Sequence, residues 1–202
     1  MSAPDWRRSV VDYIRSEAQP VDKFGHQPRL YALACRIGEG IRYDDDVVFA
    51  AAWMHDLGVF LGHRPRDPEV LARWNHVPYT IATSCELLAG WGFPAKKLDA
   101  VAGAIATHQA HDNPTQVEAL LVHDADILEQ LGAIGALRAL VKIGRDTRYS
   151  TYTSVMPVLR HAVHDFPQLL RLNNAKLLAA ERVRVLKVLI AAIEAEAGEL
   201  LF

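Results

Sequence analysis

The segment 47–54 is apolar on every face, and it restricts what the chain can fold into more than any other feature. Three aspartates, Asp44, Asp45 and Asp46, precede it and offer an N-cap and favourable charges for the first turn of a helix. A helix without a polar face has to be buried all round. Because His55 and Asp56 follow at once, the sequence predicts an imidazole and a carboxylate at the C-terminal end of a core helix.

Helical patterns dominate the rest of the chain, and alternating strand patterns, low-complexity linkers and internal repeats are absent. The 202 residues fit one domain with a substantial core. We therefore predict an all-α helical bundle in a single domain over 1–202, with a core at about 20–140 and C-terminal helices at about 154–200. The other predicted helices cover 2–18, 28–37, 68–74, 78–91, 95–107, a segment from 115, 133–148 and 175–196.

Composition excludes several classes of function. A formal net charge of −2 argues against a broad basic surface for extended nucleic acid. The apolar stretch at 47–54 is too short to span a bilayer, and no basic-then-apolar leader opens the sequence. Cys35 and Cys85 lie in apolar helical contexts and are predicted to be free thiols. A cytoplasmic location without membrane contact is the default expectation.

The nine histidines are the unusual part of the composition. His26 is predicted at the start of one helix, His76 just before another, and His108 at the end of a third. Asp124 and Asp126 stand within an apolar segment, where a carboxylate costs several kcal/mol unless it is paired or bound to a cation. Each residue alone also fits an ordinary helix-end or core role, but together they predict a metal site. Surface positions are predicted for His63, His111, His123, His161 and His164.

The order of these residues resembles the HD-domain metal-dependent phosphohydrolase superfamily. His26 comes first, His55-Asp56 follows within Ala-Ala-Trp-Met-His-Asp-Leu-Gly, and Asp126 closes the series within Asp-Ala-Asp-Ile-Leu. Arg29, one turn after His26, also matches the usual start of that pattern. The run 124–135, Asp-Ala-Asp-Ile-Leu-Glu-Gln-Leu-Gly-Ala-Ile-Gly, is similar to a subgroup of small bacterial HD hydrolases.

The resemblance implies a helical bundle that binds a divalent metal ion. Its ligands would be His26, His55, Asp56 and Asp126, and the ion Mn, Mg, Ni, Zn or Fe. Members with two metals add histidines between the His-Asp pair and the last aspartate. His76 and His108 occupy such positions. The chain would therefore hold one or two metals, and Asp56 would bridge them if there are two.

The same resemblance implies a small phosphorylated substrate, with a nucleotide as the leading class. Metal ions would activate a water molecule and neutralise a phosphoryl group. Arg29, together with Arg64 or Arg66 of the charged loop, would orient phosphate oxygens.

The helical spacing and the family motif disagree about the last aspartate. Spacing from Val117, Leu121 and Leu128 puts Asp124 on the apolar stripe and Asp126 away from it. The motif favours Asp126 as the ligand. We follow the motif, because a helix that is apolar on most faces has no well-defined stripe. Asp124 is then predicted to orient one of the metal ligands without binding the metal itself.

Two other functions remain open at this stage. Some relatives of the superfamily use a His, His-Asp, His, His, Asp set to hold two irons and activate dioxygen, and this sequence contains that set. A ligand-binding module that keeps the metal only for structure is a further alternative. Neither the substrate nor the oligomeric state follows from the sequence; a homodimer is one arrangement that the amphipathic tail allows.

Overall fold

The computed structural model describes residues 5–145 and 149–199, and in these residues it contains α-helices and no β-strand. This confirms the predicted all-α class. Short 3-10 turns at Val21–Lys23, Leu57–Val59 and Ala95–Lys97 connect some of the helices. The helices are α1 Trp6–Glu17, α2 His26–Ile37, α3 Asp45–Met54, α4 Pro68–Ala72, α5 His76–Gly90, α6 Leu98–Ala106, α7 Val117–Glu129, α8 Gly132–Leu140, α9 Tyr152–Leu169 and α10 Asn173–Ala197.

The chain divides into two compact units, Met1–Ala125 and Asp126–Phe202, and the division falls within α7. The candidate site lies in the first unit. A single domain over 1–202 with the boundaries given above stays a prediction.

Helix α3 forms the centre of the first unit. Every residue in 47–54 is buried, as the sequence predicts, and α1, α2 and α6 pack against this helix. The Asp44 side chain caps α3 by accepting a hydrogen bond from the backbone N–H of Asp46 at 3.1 Å. Burial on all sides fixes the axis of α3 and therefore the place where the chain emerges at His55 and Asp56.

Charged side chains hold the start of α3 in place. Arg7 of α1 contacts the carboxylates of Asp45 and Asp46 at 2.8 and 2.6 Å. Lys97 contacts Asp44 and Asp46, each at 2.8 Å. Hydrogen bonds from Arg7 and then Lys97 lower the pKa of Asp46 below its usual value. The aspartate triplet thus ties α3 to two other segments of the first unit as well as capping it.

Replacing Asp46 by asparagine is expected to lower the free energy of unfolding by about 1 kcal/mol at pH 7, since a networked ion pair is lost. The pKa of Asp46 is lower in the folded chain than the unfolded value of about 3.9, so its stabilisation is full above pH 4 and fades as the pH falls through the folded pKa. Urea unfolding at pH 7 and pH 3 measures this. A difference between wild type and variant that is as large at pH 3 as at pH 7 would contradict the assignment.

Several helix boundaries differ from those predicted, among them those of α2, α5 and α8. Helix α2 begins at His26 instead of Pro28, which is accommodated within the first turn, where backbone N–H groups have no helical partner. Helix α5 begins at His76 instead of Pro78, because Asn75 caps it by accepting from the N–H of Val77 at 3.1 Å. Helix α8 ends at Leu140, earlier than the predicted 148; residues 146–148 lie outside the described residues, as do 2–4 of the predicted first helix.

The glycines of the 124–135 run have structural roles in the second unit. Gly132 has a φ of +73°, which favours glycine. A Cβ on Gly135 would lie 2.2 Å from the carbonyl oxygen of Gln130, so only glycine allows this close approach. The motif residues Gly132 and Gly135 therefore shape the turn between α7 and α8.

Helix α10 is the longest helix among the described residues. Its buried residues, Ala175, Ala179, Leu186 and Ile190, follow helical spacing, and the rest of its surface mixes charged side chains with exposed apolar ones such as Leu177 and Val188. Among the described residues, no helix combines the length and the apolar character needed to cross a membrane.

Candidate metal centre

The first unit brings together five of the residues predicted for the metal site. Each stands at the end of a helix: His26 opens α2, His55 and Asp56 follow α3, His76 opens α5, and His108 comes two residues after α6. His26, His55 and His108 are buried, while the side chains of His76 and Asp56 are 13% and 17% exposed. The ends of four helices, α2, α3, α5 and α6, therefore meet around one carboxylate.

One side of this cluster is formed by His26, His55 and one oxygen of Asp56. The two Nε2 atoms of His26 and His55 lie 3.2 Å apart. Oδ2 of Asp56 lies 3.8 Å from Nε2 of His26 and 3.6 Å from Nε2 of His55. These three atoms form a compact triad of potential ligands.

The other side is formed by Asp56, His76 and His108. Oδ1 of Asp56 lies 3.6 Å from Nε2 of His76. The His108 ring is 5.5 Å from that of His76 and 4.9 Å from that of His55, centroid to centroid. One ligand atom from each residue of this second triad lies within 4.8 Å of the others. Asp56 is thus common to two groups of three.

Backbone carbonyls orient two of the imidazoles. Nδ1 of His55 donates to the carbonyl of Ala52 at 3.0 Å, and Nδ1 of His108 donates to that of Ile105 at 2.7 Å. A neutral imidazole that donates through Nδ1 keeps a lone pair on Nε2. Both rings therefore present the atom that binds metals, in an orientation fixed by the preceding turn of helix.

The spacing of the donor atoms fits a divalent ion. Ligands about 2.1 Å from a metal lie about 3.0 Å apart at octahedral angles and about 3.4 Å apart at tetrahedral angles. The 3.2, 3.6 and 3.8 Å separations of the first triad are close to these values. A mixed set of imidazole nitrogen and carboxylate oxygen accepts several first-row ions. The residues present fit a metal.

The environment of Asp56 keeps its carboxylate charged. Burial by itself would raise the pKa of Asp56, but the surrounding imidazoles together hold that pKa well below its usual range. The cluster therefore retains a negative charge for a cation. The imidazoles that act on it are those of His55, His26, His76 and His108.

Gly58 sets the distance between Asp56 and His76. A Cβ at Gly58 would lie 2.9 Å from the backbone oxygen of His76 and 2.9 Å from Oγ1 of Thr80. The N–H of Gly58 donates to that same Thr80 oxygen at 3.0 Å, and the Gly58 carbonyl accepts from the indole N–H of Trp74 at 2.9 Å. Only a glycine allows the turn after Asp56 to touch the first turn of α5.

The variant Gly58→Ala is expected to push the start of α5 away from Asp56, because the added methyl group would meet backbone atoms that cannot move independently. Affinity for a second cation should fall about tenfold or more, while the first triad changes less. Titration with Mn²⁺ measures both. The control is Gly90→Ala at the other end of α5, where the added methyl group meets no atom within 4 Å. Equal affinities in both variants would contradict this role of Gly58.

The two aspartates of α7 have different neighbours. Asp124 and His123 are both buried, and Nδ1 of His123 donates to Oδ1 of Asp124 at 2.9 Å. Asp126, in the second unit, accepts from Nε2 of Gln130 at 3.4 Å. Metal binding by Asp126 and the orienting role of Asp124 stay predictions. The predicted surface position of His123 is wrong, because its ring packs inside the apolar segment beside Asp124.

The predicted substrate arginines lie in different settings. The Arg29 guanidinium lies over Gly25, the residue before His26, where an added Cβ would be 2.8 Å from Nη1. Arg66 is exposed in the charged loop. Their contact with a substrate stays a prediction.

Sequence reasoning missed His63. The run Gly-His-Arg-Pro-Arg-Asp is typical of a solvated loop, yet the His63 side chain is only 8% exposed and lies between Glu17 and Tyr79. No local signal indicates these partners, because they come from α1 and α5. The surface positions of His111, His161 and His164 are confirmed.

Comparison with known proteins identifies the family. Residues 24–131, more than half of the chain, match the family model of the HD domain. The chain belongs to the HD domain family. The matched range contains His26, His55, Asp56, His76 and His108, together with Asp124 and Asp126.

Solved structures share the fold over nearly the whole chain. Bacillus subtilis YpgQ is 26% identical, with 96% of this chain and 98% of that chain covered and a TM-score of 0.68. The crystal structure of YpgQ in complex with ADP aligns at 24% identity over 96% of both chains, with a TM-score of 0.70. An HD-superfamily hydrolase from Bacillus thuringiensis is 18% identical over 94% and 95% of the two chains, with a TM-score of 0.68.

No curated protein matches the chain significantly. Family and fold together support a metal-dependent hydrolase as the general class, with His and Asp clusters suited to a divalent ion.

Proposed function

We propose that the protein is a metal-dependent phosphohydrolase that cleaves a small phosphate ester, with a nucleotide as the leading substrate class. The observation that carries this proposal is one charged carboxylate, Asp56, shared by two groups of histidines at helix ends. YpgQ, which has the same fold, has been crystallised with ADP, and this favours a nucleotide over other phosphate esters.

The residues divide into two ligand sets. One cation would be held by His26, His55 and Asp56, with Asp126 as a further ligand on the grounds of the motif. A second would be held by Asp56, His76 and His108. When bound, such ions lower the pKa of a coordinated water and neutralise phosphoryl charge.

The chain itself supplies orientation and charge. His55 and His108 are held by backbone carbonyls, so their Nε2 atoms do not have to reorganise when a ligand binds. Asp56 contributes a carboxylate whose pKa the surrounding imidazoles hold well below its usual range. Arg29 and Arg66 are proposed to bind phosphate oxygens, since a guanidinium donates two parallel hydrogen bonds to such a group.

A di-iron oxygenase is the second candidate function. The observation in its favour is that five residues of the six-ligand set meet around Asp56. Such chemistry would require two irons and consume dioxygen, whereas hydrolysis requires neither.

One experiment separates the two functions. The full chain is purified without oxygen, its metals are counted, and it is assayed with p-nitrophenyl phosphate, ADP and ATP in the presence of Mn²⁺, Mg²⁺ or Ni²⁺. Release of phosphate or pyrophosphate that stops with EDTA and returns with metal supports the hydrolase. Two bound irons with dioxygen uptake and no phosphate release would refute it. Tight metal binding with no turnover would instead favour a ligand-binding module.

A cytoplasmic location and a homodimer remain proposals. The first rests on the free thiols of Cys35 and Cys85, and the second on the long helix α10. Light scattering of the full chain tests the second.

A further inference from the structure

Three polar side chains from separate elements form a chain near the start of α5. Nε2 of His63 lies 3.1 Å from Oε2 of Glu17, at the end of α1. Nδ1 of His63 lies 2.8 Å from the hydroxyl of Tyr79, in α5. The rings of Tyr13 and Phe60 pack around His63, with centroids at 6.3 and 6.4 Å. The centre of this Glu17–His63–Tyr79 relay is therefore shielded, since the His63 side chain is 8% exposed, whereas the Glu17 carboxylate at its end is 35% exposed.

The carboxylate of Glu17 fixes one hydrogen position. A carboxylate only accepts, so Nε2 of His63 carries a hydrogen and donates it to Glu17. The second hydrogen bond joins Nδ1 of His63 to the hydroxyl of Tyr79. The relay links α1 to α5 through the loop that follows Asp56.

The relay is placed to control His76. His76 is the first residue of α5, where the backbone N–H groups have no helical partner, and tertiary contacts add to the Asn75 cap in holding the turn. Tyr79 is one turn further along the same helix. On the other side of His76, Trp74 donates its indole N–H to the carbonyl of Gly58 and packs against the Tyr79 ring at 5.9 Å. Tyr79 is thus in contact with both segments that anchor this turn.

We propose that Glu17, His63 and Tyr79 are positioning residues for the second cation triad, Asp56, His76 and His108. This inference rests on the two-cation site proposed above. The relay fixes the position of the first turn of α5 relative to Asp56. It thereby keeps Nε2 of His76 at 3.6 Å from Oδ1 of Asp56. None of its three members is itself a ligand in either triad.

The test is a Mn²⁺ titration of the full chain, with free Mn²⁺ followed by electron paramagnetic resonance. In Tyr79→Phe, which removes the hydroxyl and keeps the ring, the affinity for the second ion should fall about tenfold, and that for the first less than twofold. His63→Gln keeps an amide near the Nε2 position but loses Tyr79, so it should behave like Tyr79→Phe. His63→Asn keeps a polar atom near Nδ1 and should restore much of the affinity. Tyr152→Phe, at an exposed tyrosine of α9, is the control.

Each outcome of the titration supports or overturns the positioning role of the relay. Second-ion affinity that stays at the wild-type value in Tyr79→Phe and His63→Gln overturns the relay and leaves the two-cation site intact. Equal weakening of both ions also overturns it, because a general loosening of the fold would act on both triads. A wild-type chain that binds a single Mn²⁺ overturns the second triad and the relay together. If Tyr79→Phe fails to fold, as judged by its thermal transition without metal, the difference between His63→Gln and His63→Asn decides in the same way.

Discussion

Replacing Asp56 by alanine is expected to abolish cation binding and phosphate release together. Its carboxylate is the one group shared by both triads, so its removal takes a ligand from each and the negative charge from the cluster. Loss of the metal contribution to transition-state stabilisation is worth several kcal/mol; about 4 kcal/mol corresponds to about 10³-fold in rate. Calorimetric titration with Mn²⁺ and a phosphate-release assay measure the two effects.

Asp165 offers a matched control for this variant. It also stands between two imidazoles, with Oδ2 at 2.5 Å from Nδ1 of His161 and Oδ1 at 3.0 Å from Nδ1 of His164. Its side chain is 43% exposed on α9, and it belongs to neither triad. Asp165→Ala is therefore expected to keep wild-type binding and turnover. Activity retained in Asp56→Ala would refute the proposed centre.

The isosteric variant Asp56→Asn separates charge from shape. It keeps the size of the side chain and one acceptor oxygen but removes the negative charge that the imidazoles stabilise. We expect it to lose binding nearly as completely as alanine, because an amide oxygen is a weaker ligand and leaves the second position occupied by a donor. A variant that bound Mn²⁺ as the wild type does would show that the charge of Asp56 is dispensable.

The buried helix and the residues that end it were predictable from sequence for a local reason. A segment that is apolar on every face is stable only when it is buried. The burial of 47–54, and the position of His55 and Asp56 at its end, therefore follow from the local sequence alone. The placement of His26 and His108 at helix ends follows from glycine, proline and polar signals in their own neighbourhoods. The sequence therefore predicts which residues are brought to helix ends.

What could not be predicted depends on contacts between distant segments. His63 lies in a run of charged and turn-forming residues, and its burial is caused by Glu17 and Tyr79, which are 46 and 16 residues away. His123 is buried because residues 121–125 are buried on every face, which a stripe of apolar residues does not convey. The close approach of Gly58 to α5 is likewise a property of the assembled unit. Tertiary packing overrides the local pattern in each case.

The variant Asp126→Asn is expected to lower the affinity of the first cation site about 10- to 100-fold. The side chain keeps its size, but the charge of the ligand is lost. Asparagine at position 124 should change the affinity much less, because its carbonyl oxygen can still accept from Nδ1 of His123. Mn²⁺ titration of both variants, with thermal unfolding to confirm the fold, makes the comparison. Both variants remove one negative charge and keep the size of the side chain, so they differ only in position.

The geometry of a helix makes this pair of variants decisive. Side chains two residues apart on an α-helix point about 200° away from each other, since each residue turns the helix by about 100°. Asp124 and Asp126 therefore cannot both serve as ligands of one ion. Asp124 accepts from His123 within the buried face, and the family motif implies Asp126 as the ligand. Loss of binding in Asp124→Asn with wild-type affinity in Asp126→Asn would exchange their roles and show that the apolar stripe, not the motif, identifies the metal ligand.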